Sequence, residues 1–283
     1  SNPPTAQSPQ GVIMPVSIVS ASIQNTARLP MLVADQRSDD LQEISSDSQK
    51  MELADSISRI SGVAAGDEVK KYGTWITPLY GIVTQQQNNN APGYKSNYYG
   101  GVIGLDYMIT EGMTLGVTFG AIKTDAKHKD QNEGSTTKAT SYIVSTYGTY
   151  NITKDFFMRG LATIGSSNIK NKVLRTESNN TAVASSTYDM MSWGSKLFMG
   201  YNYSLTDTTV LTPRFGLEFN HFGEIGYEET GTDSQNLHVK RKAFNKLEAT
   251  LGAKLQKNWL LSSNLILKPS IHGNVKYGLL NKG

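Results

Sequence analysis

Alternation of apolar and polar residues over long segments is the feature that most constrains the fold of this chain. From 211 to 219 the odd-numbered residues are Leu, Pro, Phe, Leu and Phe, whereas the residues between them are Thr, Arg, Gly and Glu. The segments 113–121, 191–203 and 247–255 show the same period of two. Because successive side chains of a β-strand point to opposite faces of a sheet, this period predicts strands with one apolar face. No helical period occurs after Gly73, so the predicted fold class is all-β.

A soluble sandwich or lipocalin-like barrel would also show alternating strands, because one face of each strand packs in its core. Three features favour a transmembrane antiparallel β-barrel. The predicted strands have about 9–12 residues, whereas soluble strands average about 5–6 and membrane strands need about 9–11. Aromatic residues gather near strand ends, as in interfacial girdles. The connections alternate between short and long, as periplasmic turns and extracellular loops do.

The predicted connections fix which positions face outward. Short connections are expected near 110–112, 151–155, 205–208 and 257–263, and long polar loops near 86–94, 125–138, 170–186 and 223–242. On this layout the apolar positions face lipid, and they include Leu115, Phe119, Trp193, Leu197, Phe215, Leu217 and Leu251.

About nine strands are predicted, although bacterial single-chain barrels have an even number. An open sheet edge in lipid would leave backbone amides unpaired. The barrel is therefore expected to be incomplete at its C-terminal end.

The N-terminal part has a different character. Residues 1–39 are rich in Ser, Pro, Gln and Asn, which predicts an extended linker or the end of a larger domain. Within 40–66, apolar residues recur at roughly helical spacing, and a helix of about 20 residues would be about 30 Å long. That length is close to the thickness of a bilayer, but the surface is too polar for lipid. No run of about 18 apolar residues occurs, so no transmembrane helix is predicted.

Five segments occur in an order that carries a resemblance: GTWITPLYG at 73–81, GYNY at 200–203, LTP at 211–213, GYEETG at 226–231 and QNLHVKRK at 235–242. As a set they resemble the translocator β-domains of rickettsial surface cell antigens, which are autotransporters of type V secretion. The likeness covers roughly residues 40–283. It implies a barrel of twelve strands, of which about nine are present here, with an N-terminal α-helix in the pore. It also implies that the barrel exports an N-terminal passenger and anchors it at the surface of a Gram-negative outer membrane.

The resemblance implies three regions and a set of partners. Residues 1–39 would be a passenger remnant and linker, 40–66 the pore-threading helix, and 67–283 the translocator barrel. The expected partners are outer-membrane lipid, the chain's own passenger, the barrel-assembly machinery and periplasmic chaperones. The chain is expected to act as a monomer without a cofactor, and its net charge of +3 is too small to indicate nucleic acid.

Charge suggests how the helix could be held. The polar faces of the strands are mainly basic, and opposite charges across a restricted pore would attract. The alternative is that these charges are solvated or pair with one another, as Arg214 and Glu218 could. The predicted pore-lining residues are Lys196, Arg214, Glu218, Lys246, Glu248, Lys254, Lys268 and Lys276, and the facing helix residues are Glu43, Asp47, Glu52 and Asp55.

Enzymatic and metal functions find little support, and the chain is predicted not to be an enzyme. The four histidines share no ligand spacing, and His128 is expected to be a solvated loop residue. A barrel protease would require a cluster such as Asp125, His128 and Asp130 at the rim. No asparagine occurs from Thr26 to Tyr72, so passenger cleavage through a helix asparagine is not indicated. A porin-like channel, with 40–62 folded outside the pore, is the remaining alternative.

Overall fold

A computed structural model of the protein describes Pro30, Val33, Ala34 and Arg37, together with most of the chain from 71 to 282. The described ranges are 71–86, 93–110, 112–129, 133–177, 180–223, 225–232, 236–241, 243–262, 265–267 and 269–282. The predicted helix at 40–66, with its four acidic residues, lies outside them, as does Lys268. Among the described residues, no helix has the length and apolar character needed to cross a membrane.

The described strands run in chain order. They are β1 (Tyr72–Gln85), β2 (Tyr94–Thr110), β3 (Met113–His128), β4 (Thr136–Asn151), β5 (Phe156–Glu177), β6 (Asn180–Tyr201), β7 (Tyr203–Thr206), β8 (Thr209–Phe222), β9 (Ile225–Glu228), β10 (His238–Arg241), β11 (Phe244–Lys257), β12 (Trp259–Ser262), β13 (Leu265–Leu267) and β14 (Ser270–Lys282).

One antiparallel sheet contains most of these strands. Its order is β1-β2-β3-β4-β5-β6-β8-β11-β14, with β7 paired to β8 at the side. The nine strands of this path agree with the predicted count, and the all-β class is confirmed. In the described part of the chain, β1 and β14 are the two edges of the sheet and do not pair with each other.

The two faces of the sheet differ in burial. On β3 and β4, for example, Thr118 and Tyr147 are buried, whereas their chain neighbours Val117 and Thr146 are exposed. We call the buried face the inner face and the other the outer face. Short connections at 111–112, 152–155 and 207–208 define the short-turn end of the sheet, and the opposite end is called the long-strand end.

The loop predicted near 125–138 is shorter than expected, because β3 extends to His128 and β4 begins at Thr136. The long loop predicted near 170–186 is wrong, because β5 and β6 have 22 residues each, continue through it and meet at a short connection. The period of two persists in this region, with Ile169 and Val173 buried and Lys170 and Lys172 exposed. The expected tight connection near 257–263 is also wrong, since it contains β12, which pairs with β13.

A hairpin of β9 and β10 packs on the inner face at the long-strand end. The ring of Tyr227 stacks on that of Tyr188 with centroids 4.8 Å apart. Ser185 and Thr230 exchange backbone hydrogen bonds of 2.8 and 2.9 Å. The apolar cluster beneath the hairpin contains Ala139, Ile169, Val173, Ala184, Tyr188, Met190, Phe222 and Ile225.

A buried ion pair fastens this hairpin to the sheet. Arg175 Nη2 donates to Glu229 Oε2 at 2.6 Å, and the two side chains are 5% and 4% exposed. The backbone N–H of Leu237 donates to the same carboxylate oxygen at 3.1 Å. Removing one partner of such a pair leaves a buried charge uncompensated, which costs about 3–5 kcal/mol.

We therefore expect Glu229→Ala to release the hairpin. Trypsin should cleave at Lys240 at least tenfold faster in the folded variant than in the wild type, as followed by mass spectrometry. Glu228→Ala is the matched control, because Glu228 pairs with His238 where both side chains are largely exposed. Equal cleavage of the two variants would contradict a fastening role for the buried pair.

His128 is buried at the end of β3, so the expectation of a solvated loop residue is wrong. Its Nε2 lies 3.0 Å from Oγ1 of Thr137, which donates to Oδ1 of Asn171 at 2.9 Å. Because that hydroxyl proton is already used, Nε2 of His128 is the donor in its contact with Thr137. Burial lowers the pKa of His128 below its usual value.

This lowered pKa predicts a pH dependence. In the unfolded chain His128 takes up a proton below about pH 6.5, whereas in the folded protein it stays neutral to lower pH. The stability of the long-strand end should thus be fully present above pH 6.5 and fall as the medium becomes more acidic. Trypsin sensitivity of the hairpin between pH 7.5 and 5 measures this, and His128→Gln should flatten the profile. His238→Gln, which alters an exposed histidine, should leave it unchanged.

Candidate functional site on the inner face

A helical segment that precedes the sheet in sequence lies against the inner face. Pro30, Ala34 and Arg37 have helical conformation, and their spacing places them on one side of a helix. Ala34 is fully buried and packs with Tyr147 and Leu161. Pro30 is also buried, and its Cγ would lie 3.0 Å from a Cβ added at Gly120 of β3. These contacts place the segment directly against the inner face of the sheet.

An ion pair joins this segment to the sheet. Arg37 Nε donates to Asp106 Oδ2 at 2.9 Å and Nη2 donates to Oδ1 at 3.3 Å, with side chains 16% and 6% exposed. The Tyr147 hydroxyl donates to Asp106 Oδ2 at 3.1 Å, and Trp75 Nε1 donates to that hydroxyl at 3.1 Å. Asp106 therefore accepts hydrogen bonds both from Arg37 of the segment and from Tyr147 of the sheet. Two-point contact between guanidinium and carboxylate is among the strongest charge-assisted hydrogen bonding that side chains form.

Glycines make room for the rings around this ion pair. Gly116 is the cross-strand partner of Tyr147, and Gly104 is the partner of Trp75. A Cβ at either glycine would overlap the opposing ring. The same arrangement recurs on the inner face, where rings covering cross-strand glycines fix the register. Further pairs are Tyr98 with Gly81, Phe157 with Gly200 and Phe198 with Gly216.

A second cluster of charged residues lies on β8, β11 and β14. Glu218 and Glu248 are cross-strand partners and are 3% and 8% exposed. Two carboxylates this close would repel unless they were compensated. Lys246 Nζ lies 2.8 Å from Glu248 Oε1, and Lys276 Nζ lies 3.5 Å from Glu218 Oε2. The predicted wall charges that the structure describes therefore pair in part with one another.

The other predicted inner positions share this face. Lys196 is buried, with Nζ 4.4 Å from the centroid of the Phe198 ring. Arg214 and Lys254 are half-buried. In the described part of the chain, the contact between segment and wall has its base on the segment and its acid on the wall. This polarity is opposite to the one predicted for 40–66, whose acidic residues lie outside the described ranges. That these positions line a pore stays a prediction.

The seven predicted lipid-facing residues all lie on the outer face. Their exposed fractions range from 37% for Leu217 to 67% for Leu251. An apolar surface this extensive on a single sheet is expected where the sheet meets lipid or another protein. Contact with lipid remains a prediction for these residues.

The residues considered for a barrel enzyme do not come together. Asp125 points to the outer face, where it pairs with Lys138 at 3.5 Å, whereas His128 is buried on the inner face. Asp130 lies outside the described residues. Within the described ranges, no group of three or more His, Asp or Glu side chains could hold a metal ion. The rim cluster that the enzyme alternative requires is thus not formed by Asp125 and His128.

Sequence reasoning missed Arg37, Asp106 and the rings beside them. The spacing of Pro30, Ala34 and Arg37 was the available signal, but it is short and lies in a segment with linker-like composition. Asp106 is a lone acid on the polar face of β2, which the sequence cannot distinguish from a solvated one. The boundaries at 39 and 66 stay predictions.

A long antiparallel sheet with an apolar outer face, a polar inner face and an N-terminal segment against that inner face defines an outer-membrane-type β-domain. Comparison with known families makes this specific: residues 74–283 match the autotransporter beta-domain. The chain belongs to the autotransporter β-domain family.

Relatives and solved structures agree with this assignment. The chain is 35% identical over 228 residues to outer membrane protein A of Rickettsia rickettsii, a match covering 78% of this chain and 10% of that protein. It is 31% identical over 231 residues to outer membrane protein B of Rickettsia prowazekii strain Madrid E, covering 80% of this chain and 14% of that protein. The chain thus spans about a tenth to a seventh of the length of these relatives.

Two solved structures show the same fold. The translocator domain of the autotransporter NalP from Neisseria meningitidis has a TM-score of 0.55 at 16% identity, covering 90% of this chain and 81% of that one. The β-domain of the Bordetella autotransporter BrkA has a TM-score of 0.54 at 18% identity, covering 74% and 82%.

Because Gly116 lies under the Tyr147 ring, we expect Gly116→Ala to displace that ring and weaken its hydrogen bond to Asp106. Overpacking of this kind typically costs about 1–3 kcal/mol. The folded protein should therefore lose its heat-modifiable gel mobility at a lower temperature. Gly160→Ala is the control, since among the described residues no atom lies within 4 Å of a Cβ added there. Equal transition temperatures for the two variants would contradict this account of the packing.

Proposed function

We propose that this chain is an outer-membrane translocator that exports an N-terminal passenger and keeps it anchored at the cell surface. Membership of the autotransporter β-domain family supports this role, as do relatives named as outer membrane proteins. The observation that carries the proposal is the Arg37–Asp106 ion pair, because it holds a segment preceding the first strand against the inner face.

The direction of this segment agrees with export. Asp106 is the cross-strand partner of Gly73, the second residue of β1, and so lies near the short-turn end. Pro30 lies by Gly120, which is four positions further along β3 than Gly116, the partner of Asp106. Four strand residues span about 13 Å, and the seven helical steps from Pro30 to Arg37 span about 10 Å. The segment therefore runs along the strands, with its N-terminal side toward the long-strand end.

That end corresponds to the cell exterior in an outer-membrane barrel, where short turns face the periplasm. A chain that enters from the periplasmic side beside β1 and ascends the inner face would leave at the surface. Residues N-terminal to Pro30 would then lead to the passenger. We also propose that the acidic residues Glu43, Asp47, Glu52 and Asp55 face the basic positions of the pore. In the sequence they lie between Arg37 and β1.

In this proposal the charged residues of the inner face line the pore, and the apolar residues of the outer face contact lipid. Insertion would require the barrel-assembly machinery and periplasmic chaperones, and the translocator would act as a monomer. We propose no catalytic role. The opposed directions of Asp125 and His128 support that view. A porin-like channel is less well supported, because the described segment fills part of the inner face.

We expect Arg37→Ala to free the segment and to open the pore. In planar bilayers, the full-length variant should show a roughly tenfold or greater rise in open probability, since breaking a largely buried pair costs several kcal/mol. Asp106→Asn should act in the same direction. The exchange Arg37→Asp with Asp106→Arg should restore part of the closed state, because it reforms the pair in reverse.

Asp125→Asn is the matched control, because it removes an acid from the outer face of the neighbouring strand. Surface display of the passenger is measured in the same cells. Unchanged conductance in both single variants, with normal display, would contradict a held segment in the pore. Absence of the passenger from the surface of wild-type cells would contradict the translocator itself.

A further inference from the structure

Six lysines form a cluster on the outer face at the long-strand end of β2 to β5. Every one of them is exposed, and each lies at an outward position of its strand. We call this group the lysine patch: Lys95, Lys123, Lys127, Lys138, Lys170 and Lys172.

The strand registers place four of these lysines directly opposite one another in two pairs. Lys95 is the cross-strand partner of Lys127, and Lys138 is the partner of Lys170. The Cβ atoms of such partners lie about 5 Å apart, and like charges placed directly opposite destabilise a sheet. The patch therefore contains two repulsive pairs that folding alone does not favour.

Little negative charge offsets the patch. Asp125 lies within it and pairs with Lys138 at 3.5 Å. Asp189 borders it on β6 and accepts a hydrogen bond of 2.8 Å from Asn168. Six lysines against these two aspartates and the exposed Glu133 of the connection between β3 and β4 leave an excess of positive charge that an external anion can neutralise.

The patch begins where the apolar band of the outer face ends. Tyr99 is the cross-strand partner of Lys123, while the large exposed residues Ile103 and Phe119 lie on the same strands toward the short-turn end. At the short-turn end, the outward positions of the same four strands are uncharged. They are Tyr107, Ile109, Met113, Leu115, Gly148, Tyr150, Phe156 and Met158.

We propose that the lysine patch binds the phosphate groups of anionic lipid head groups in the outer leaflet of the membrane. A ligand at this position must lie beside the wall at the level where the acyl chains meet their head groups, because the apolar band continues directly below. Ammonium groups bind phosphate as point charges, and several on one surface match a lipid with more than one phosphate. Each lysine near an anionic lipid surface contributes about fivefold in affinity.

This inference rests on the proposed outer-membrane location, and its test separates the two. Full-length protein is extracted from outer membranes, and the lipid A retained per protein is measured by native mass spectrometry and phosphate analysis. A variant with all six lysines changed to Gln should retain at least tenfold less lipid A. A variant with all six changed to Arg should retain it, since the positive charge is kept.

Two further arms identify the ligand. Bisphosphorylated lipid A should rebind to delipidated protein at least tenfold more tightly than its enzymatically dephosphorylated form. Inorganic phosphate at millimolar concentration should not displace the bound lipid A. If phosphate displaces it and the two forms of lipid A bind equally well, the patch is a site for free anions and the proposal is overturned. Lys154→Gln at the short-turn end is the charge control and should retain lipid A as the wild type does.

The heat-modifiable mobility of each variant and the surface display of the passenger are recorded in parallel. Normal insertion and display with unchanged lipid A retention in the Gln variant would overturn this inference alone. Absence of the wild-type protein from the outer membrane would overturn the proposed function. If the Gln variant fails to insert, the Arg variant decides: normal insertion with retained lipid A supports the patch, and insertion without lipid A overturns it.

Discussion

Antiparallel pairing is the constraint on which the rest of the structure depends. It satisfies the backbone polar groups of each inner strand from both sides, and it aligns the side chains of neighbouring strands on two faces. A shift of one residue in any register would exchange the faces of a whole strand. Side-chain packing disfavours such a shift, because rings such as Tyr147 and Trp75 each cover a glycine on the next strand. Alternation defines which face a residue occupies, and these ring–glycine pairs define which neighbour it meets.

Polar contacts fill much of the inner face, and that composition decides what the face can hold. Hydroxyl pairs such as Ser141 with Ser167, 2.7 Å apart, cross between strands where a soluble core would place apolar residues. Buried polar groups of this kind cost free energy unless they are hydrogen-bonded. An inner face with many hydrogen bonds of its own can hold a helical segment through a few specific contacts, such as Arg37 with Asp106, without forming a continuous apolar core. Under the proposed function, such a face suits the passage of a polypeptide, because a strongly apolar face would bind unfolded segments as they move past it.

Much of the sheet was predictable from the sequence, since period-two alternation is a local signal that survives without knowledge of the neighbours. The count of about nine strands and the faces of residues such as Leu251 followed from it. The long-strand end was not predictable, because Lys170 and Lys172 resemble loop residues until their alternation with Ile169 and Val173 is noticed. The Arg37–Asp106 contact was beyond reach for another reason: it joins residues 69 positions apart, and no local pattern marks either member.

The long-strand end is a folded unit with its own physical basis. The apolar side chains of the outer band are exposed on the sheet and can be covered only by what surrounds it. The long-strand end, in contrast, packs Tyr188 against Tyr227 and buries Arg175 with Glu229. Such a core excludes water by itself, as the core of a soluble domain does. The boundary between the apolar band and the long-strand end is visible on the outer face, where Tyr99 of β2 is the cross-strand partner of Lys123 of β3. The same alternation that exposes apolar residues in the band therefore exposes lysines beyond it.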